Sequence, residues 1–276
     1  MSAGNGLLQE LLAVATEAAA AGAAVLQGRP EGALAASNKA SDSDWVTEFD
    51  VAAEKAVRAV LAERRPHDSV TGEELGTTVA EGSSGVRWSV DPLDGTTNFI
   101  RDIAYYCTSV AAVTEDGEWL AGVVQAPVLG RRYWAVRGGG AWCESRSGVR
   151  RLTGPEPGRR GKILATGLSY DPATRVGQYR QLPRLMEGFG DLRRLGSAAL
   201  DLCLVADGTH DAYIERGLNE HDFAAGALIA EEAGAAVWRP VLDPSLPEEE
   251  RDEQRLNSWL MACAPDLEAR LREAVR

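Results

Sequence analysis

Histidine is nearly missing from this chain. There are three in 276 residues and none in a His-Glu-x-x-His pattern, which removes zinc hydrolases of that type. Basic charge is also short: 29 Lys and Arg stand against 41 Asp and Glu, a net charge of −12. A protein that grips nucleic-acid backbone needs a basic face, so no nucleic-acid partner is expected. The four cysteines, at 107, 143, 203 and 263, form no Cys-x-x-Cys pair. They read as small buried residues of a reducing cytoplasm rather than disulfides or zinc ligands. No stretch reaches eighteen uninterrupted apolar residues, and no basic segment leads into an apolar one near the amino terminus. Neither a membrane span nor a secretion signal is therefore expected. A Gly-x-Ser-x-Gly nucleophile elbow is absent, and the glycines at 138–140 lack Walker or dinucleotide spacing.

What is present is an ordinary globular balance, 45% apolar and 25% charged, long enough to bury a substantial core. Leu7 to Leu26 is alanine-rich with apolar residues at helical spacing, predicting a long helix that ends near Gly28. Thr47 or Asp50 is placed to cap a second helix running through Val51 and Val60 and stopping before Pro66. Alternation over Cys107–Val113, Leu120–Ala126 and Tyr133–Val136 predicts an antiparallel sheet, with Asp116-Gly117 as a hairpin turn and Arg137-Gly138-Gly139-Gly140-Ala141-Trp142 as its end. A Pro- and Gly-rich stretch from Gly154 to Gly161 separates two halves, 1–153 and 154–276, of one functional unit. Beyond it the pattern predicts a strand at Ile163–Thr166, helices at Gln178–Glu187 and Ser197–Ala206, a strand at Asp211–Ile214 and a helix at Asp222–Ala233. Leu242 to Glu253 reads as an acidic, mobile surface loop.

One run stands apart. Val86, Trp88 and Val90 alternate into Asp91-Pro92-Leu93-Asp94-Gly95-Thr96-Thr97-Asn98-Phe99. Two carboxylates three residues apart can point into one pocket and hold hard divalent cations, which prefer oxygen ligands. Gly95 allows close backbone approach, and the amides of Gly95, Thr96 and Thr97 form a cup for an anion. Asp-Pro and Asp-Gly pairs are also what a plain turn between strands uses. Carboxylates, cation and amide cup together suit phosphoryl chemistry, where monoester hydrolysis demands an acceleration approaching about 10²¹-fold.

This nine-residue run resembles the signature of the inositol monophosphatase family, Mg²⁺-dependent and lithium-sensitive phosphatases. Three further segments resemble that family in the right order: Lys39 to Asp50 with Asp44-Trp45-Val46-Thr47, Thr71-Gly72-Glu73-Glu74, and Glu215 with Asp222-Phe223-Ala224-Ala225-Gly226 and Glu232-Ala233-Gly234. Together they span most of the chain. The resemblance implies an α+β fold, a layered αβαβα sandwich of the sugar-phosphatase type, working as a cytoplasmic homodimer on a small phosphorylated polyol.

It also implies roles. Glu73, Asp91 and the carbonyl of Leu93 would hold a first Mg²⁺; Asp91, Asp94 and Asp222 would hold a second. A third, weaker ion is implied near Glu73, giving two or three in all. Water is the expected nucleophile, oriented by the Thr96 hydroxyl, with Asp50 accepting the threonine proton and Glu73 assisting as base. Asp94, Gly95, Thr96, Ser197, Ala198 and Glu215 would contact substrate, Glu215 reading ring hydroxyls. Lys39 is placed either to neutralise site charge or as a solvated loop lysine. One departure stands out: Asn219-Glu220-His221 precedes Asp222 where the family places Trp just before its aspartate. Inositol monophosphate leads as substrate, with histidinol phosphate, a sugar bisphosphate, a nucleotide 3′-phosphate or another cyclitol phosphate as rivals. A catalytically weak binding protein is the rival of a different class.

Overall fold

The computed structural model describes residues 2–31, 34, 37–38, 45–82, 84–240, 242 and 245–276. Lys39 and Asp44 lie outside the described residues. The first helix, α1 (Ser2–Gln27), starts earlier than its apolar pattern and buries Leu11, Val14, Ala15, Ala18 and Leu26 along one stripe. Among the described residues α1 is the one helix long and apolar enough to cross a membrane by length and composition. In this fold that stripe packs against the next helix and a large sheet.

A two-residue pair, β1 (Ser37–Asn38) with β2 (Trp45–Val46), precedes α2 (Glu48–Arg64). Helix α2 starts where expected. The Thr47 hydroxyl accepts from Phe49 N, and Asp50 reaches back to accept from Thr47 N at 2.7 Å. There follow β3 (Ser69–Gly72), β4 (Gly76–Thr78), β5 (Val86–Asp94), a one-turn α3 (Thr96–Ile100), β6 (Cys107–Thr114) and β7 (Trp119–Ala126). Next come β8 (Arg131–Val136), β9 (Gly140–Ser145) and β10 (Gly148–Arg151). They form one eight-stranded sheet in the order β10-β9-β8-β7-β6-β5-β3-β4, antiparallel except for the β3–β5 pair. The glycines at 138–140 do not end this sheet, as the sequence suggested. They turn β8 into β9, with Gly138 and Gly140 at φ 71° and 77°, and the Glu232 carboxylate accepts both of their N–H groups.

The second half comprises β11 (Ile163–Thr166), α4 (Pro172–Leu185), β12 (Asp191–Arg193), α5 (Ala198–Ala206), β13 (Ala212–Arg216), α6 (Glu220–Glu232) and β14 (Ala236–Trp238). After these come α7 (Glu248–Asn257), β15 (Trp259–Cys263) and α8 (Glu268–Ala274). The five-stranded sheet runs β12-β11-β13-β15-β14. Helix α4 begins six residues before the predicted start because Asp171 caps it, accepting Thr174 N at 2.7 Å, and Pro172 fits its first turn. The acidic segment read as a surface loop is helical from Glu248 onward. Glu249 and Glu250 lie in its first turn, at the positive end of the α7 dipole, and Arg255 in its last, at the negative end.

The layers follow from the contacts. Helices α1 and α2 cover one face of the large sheet; α5 and α6 fill the space between the two sheets; α4 and α8 cover the outer face of the small one. This is the αβαβα order. The central layer is tight: a Cβ on Gly122 of β7 would lie 2.8 Å from Ala225 Cα, and one on Gly226 2.9 Å from Ala199 O. Alanine is the better helix former by about 1 kcal/mol. Overpacking costs about 1–3 kcal/mol, and because the atom met is backbone it should win. Gly226→Ala is therefore expected to lower the thermal midpoint; a raised midpoint would show that α5 and α6 separate freely.

Candidate active site

Between the two sheets a cleft of about 140 Å³ opens at the end of β5. Strand β5 pairs with β6 regularly up to Asp91, then slips, so that Asp94 faces Cys107. Pro92 has no N–H for the ladder, and its carbonyl is taken by Thr108 Oγ1 at 2.9 Å. The irregularity aims Asp91 and Asp94, with the Leu93 carbonyl between them, at one space. Gly95 then turns the chain at φ 99°, where a Cβ would meet Tyr105 O at 3.0 Å, so only glycine fits.

The cleft is lined by Glu73, Asp91, Leu93, Asp94, Gly95, Thr96, Ser197, Ala198, Glu215 and Asp222. Asp50 stands just behind it, fully buried. Its Oδ1 accepts the Thr96 hydroxyl at 3.0 Å, while its Oδ2 accepts Thr47 N and Oγ1. The Thr96 hydroxyl lies equally 3.0 Å from the Leu93 carbonyl, so one proton is shared between two acceptors. All the predicted site residues thus meet at one place, from segments up to 172 positions apart (Asp222 − Asp50).

Asp94 is held at the amino end of α5. Ser197 Oγ donates to it at 2.6 Å, Ala199 N at 2.7 Å and Ala198 N at 3.2 Å. Ser197 and Ala198, expected to face substrate, therefore also fix this carboxylate. Burial pushes Asp94 up to about 7, with Asp222 adding repulsion and the α5 donors opposing both. Asp91 is raised well above the usual carboxylate range by burial and then by Glu73, Asp94 and Asp222 around it. Asp222 sits in the first turn of α6 and accepts Asn219 N at 2.6 Å. Burial raises its carboxyl, while His221, whose Nε2 lies 3.6 Å away, pulls it down. The histidine that replaces the expected tryptophan thus touches Asp222 and lines a separate cavity behind it.

The substrate end was only partly legible. Glu215 accepts the Tyr213 hydroxyl, and burial lifts it to about 7. A Cβ on Gly167 would collide with its carboxylate at 1.8 Å, so this glycine makes room for Glu215. Leu168, Tyr170, Asp201 and Leu218 also line the cleft and were missed. Asp201 is one turn into α5, buried, with its Oδ1 accepting Tyr105 OH at 2.9 Å. The Ser197-to-Asp201 helical spacing was the available signal for it; nothing local marked Leu168 or Tyr170.

Among the described residues no three metal-ligating side chains form a preformed cage. Several oxygens are turned to backbone, as Asp91 Oδ1 is to Leu93 N at 3.0 Å. The donor set still fits a hard divalent cation: four carboxylates and a carbonyl, all oxygen, crowded and mutually repelling in a buried cleft. Opposite charge is the physical remedy for that repulsion.

A sequence profile of the inositol monophosphatase family matches residues 7–272. The inositol-1-monophosphatase of Mycobacterium leprae (strain TN) is 42% identical over 206 residues, covering 73% of this chain and 70% of that protein. A Pasteurella multocida (strain Pm70) protein named Nus factor SuhB is 36% identical over 198 residues, 71% of this chain and 72% of its own. Among solved structures, Mycobacterium tuberculosis SuhB superposes with a TM-score of 0.76 at 33% identity, covering 100% of this chain and 97% of that one.

Proposed function

This chain belongs to the inositol monophosphatase family of metal-dependent phosphoric monoester hydrolases, and on that premise we propose that it uses Mg²⁺ to hydrolyse inositol monophosphate or a closely related polyol phosphate. The observation that carries this reading is the convergence of Glu73, Asp91, Asp94 and Asp222 on one cleft, backed by the Asp50–Thr96 hydrogen bond.

In this reading Glu73, Asp91 and the Leu93 carbonyl would hold one ion, Asp91, Asp94 and Asp222 would hold a second, and a weaker third would lie near Glu73. Bound divalent ions supply Lewis acidity toward phosphoryl oxygens and lower the pKa of water. The chain's own residues do the rest. The Thr96 hydroxyl, which donates to Asp50, accepts a hydrogen bond from the attacking water and orients it toward phosphorus. Glu73 takes up the proton as the new P–O bond forms. The ester P–O bond breaks on the opposite side, and the alcohol leaves with a proton from solvent. Gly95 and Thr96 border the phosphate, while Ser197 and Ala198 hold Asp94 and wall the cleft toward the ring. The two sheets act as halves of one unit, 1–153 supplying most ion ligands and 154–276 supplying Asp222 and the substrate end. The four free buried thiols support a cytoplasmic setting, and a homodimer, measurable by light scattering, belongs to the same reading.

Relatives named Nus factor SuhB, in Pasteurella multocida and Haemophilus influenzae, favour a second reading in which this chain also serves as a binding protein. The intact carboxylate set supports catalysis regardless.

Glu215 is the substrate-reading candidate. Glu215→Gln should reduce kcat/KM on inositol 1-phosphate about ten- to a hundredfold, the worth of a hydrogen bond to a charged group, and spare a small aryl phosphate. Equal losses on both would move Glu215 from substrate recognition to support of the fold. Phosphate release across inositol 1-phosphate, histidinol phosphate, a sugar bisphosphate and a nucleotide 3′-phosphate tests the substrate. Turnover of another ester with none of inositol 1-phosphate would overturn that choice and leave the phosphatase.

A further inference from the structure

Glu54 belongs to no motif identified in the sequence, yet it is fully buried on α2, one helical turn after Asp50 and on the same face. A buried carboxylate is retained where it is fully hydrogen-bonded, and this one is. Its Oε2 accepts Glu74 N at 2.7 Å, Leu75 N lies 3.3 Å from both oxygens, and Arg58 Nε donates to Oε1 at 2.7 Å. The same arginine reaches the Thr78 hydroxyl at 2.9 Å and the Gly76 carbonyl, clasping the next strand. On the other side of Glu73, a Cβ at Gly72 would lie 2.0 Å from Glu54 Oε1. The carboxylate therefore lies directly on the backbone just before Glu73 and bonds the two amides just after it. Glu73 N is itself tied to Val90 O at 3.2 Å, the residue before Asp91.

We propose that Glu54 is a positioning residue that holds the turn carrying Glu73 in register with the Asp50–Thr96 pair; this rests on the role given to Glu73 above. Helix α2 then sets two separate active-site loops at once, Asp50 fixing Thr96 and Glu54 fixing residues 73–75. Carboxylate-to-amide bonds are charge-assisted, so the amide of glutamine replaces them poorly.

The test compares Glu54→Gln, Gly72→Ala and the double variant Glu54→Ala/Gly72→Ala with Glu54→Ala alone, and uses Glu73→Gln as reference. Val57→Ala, a core change on the same helix, serves as a stability control. Each is assayed well below its melting temperature for kcat and KM on phosphate ester, for Mn²⁺ affinity by calorimetry, and for hydrogen exchange at Glu74 and Leu75. Glu54→Gln should weaken Mn²⁺ binding about 10–100-fold, as loss of a ligand-orienting partner does. It should lower kcat by up to about 10²-fold with little change in KM, the effect of a displaced catalytic group. Exchange at the two amides should accelerate. Gly72→Ala should reproduce these losses through collision with the carboxylate, and should add nothing once Glu54 is alanine. Val57→Ala should lower the melting temperature alone. If Glu54→Gln does not fold, the Gly72 pair reads the same contact. Wild-type Mn²⁺ affinity and kcat in Glu54→Gln, with Glu73→Gln losing both, would overturn the positioning role alone. Wild-type kcat and Mn²⁺ affinity in Glu73→Gln would overturn the reading on which it rests.

Discussion

Asp94→Asn is expected to leave a folded protein that releases no phosphate above background at saturating Mg²⁺. Asp94 is buried, and burial together with repulsion from Asp222 raises its pKa to about 7. Removing its charge relieves repulsion within the apoprotein, which offsets weaker bonds from Ser197, Ala198 and Ala199. Stability should therefore change little. Catalysis has no such offset, because one change removes a proposed ion ligand and loosens the amino end of α5, which walls the cleft. The loss should exceed the about 10²–10³-fold that a single lost transition-state donor costs. Calorimetric melting together with phosphate release checks both halves. Near wild-type turnover would show that Asp94 holds α5 and no ion.

Thr96→Val should lower kcat about 10²–10⁴-fold, the range of general acid–base catalysis, with KM nearly unchanged. Valine keeps the shape but removes the hydroxyl that donates to Asp50 at 3.0 Å. Asp50 then keeps its bonds from Thr47 N and Oγ1, so the α2 cap survives and the fold with it. A loss confined to KM would contradict the water-orienting role and assign Thr96 to phosphate binding.

The convergence of the carboxylates on one cleft was legible in the sequence because its signals are local. Asp91, Pro92, Asp94 and Gly95 are each demanded by the backbone at the end of β5: a proline where the ladder slips, a glycine at positive φ, and carboxylates on either side. Asp50 and Asp222 were legible for a related reason, since each begins a helix where a carboxylate also satisfies backbone amides. What the sequence left out is what long-range packing decides. Glu54 is an unremarked helical glutamate until the turn at 73–75 is brought against it. Leu168 and Tyr170 enter the cleft only because β11 pairs with β13 and delivers the chain opposite Glu215. The glycine run at 138–140 was misread as an end because its partner, Glu232, is 92 residues beyond Gly140. The acidic stretch around Glu248 was misread because charge density masked a short helix.

The measurement that bears most directly on the central claim is phosphate release from inositol 1-phosphate by chelator-stripped protein as Mg²⁺ is added back. The account predicts no turnover without the ion, recovery that saturates with Mg²⁺, and no recovery in Asp91→Asn, whose carboxylate is proposed to serve both ion positions. Turnover by the stripped protein, or Mg²⁺-restored turnover in Asp91→Asn equal to wild type, would contradict it.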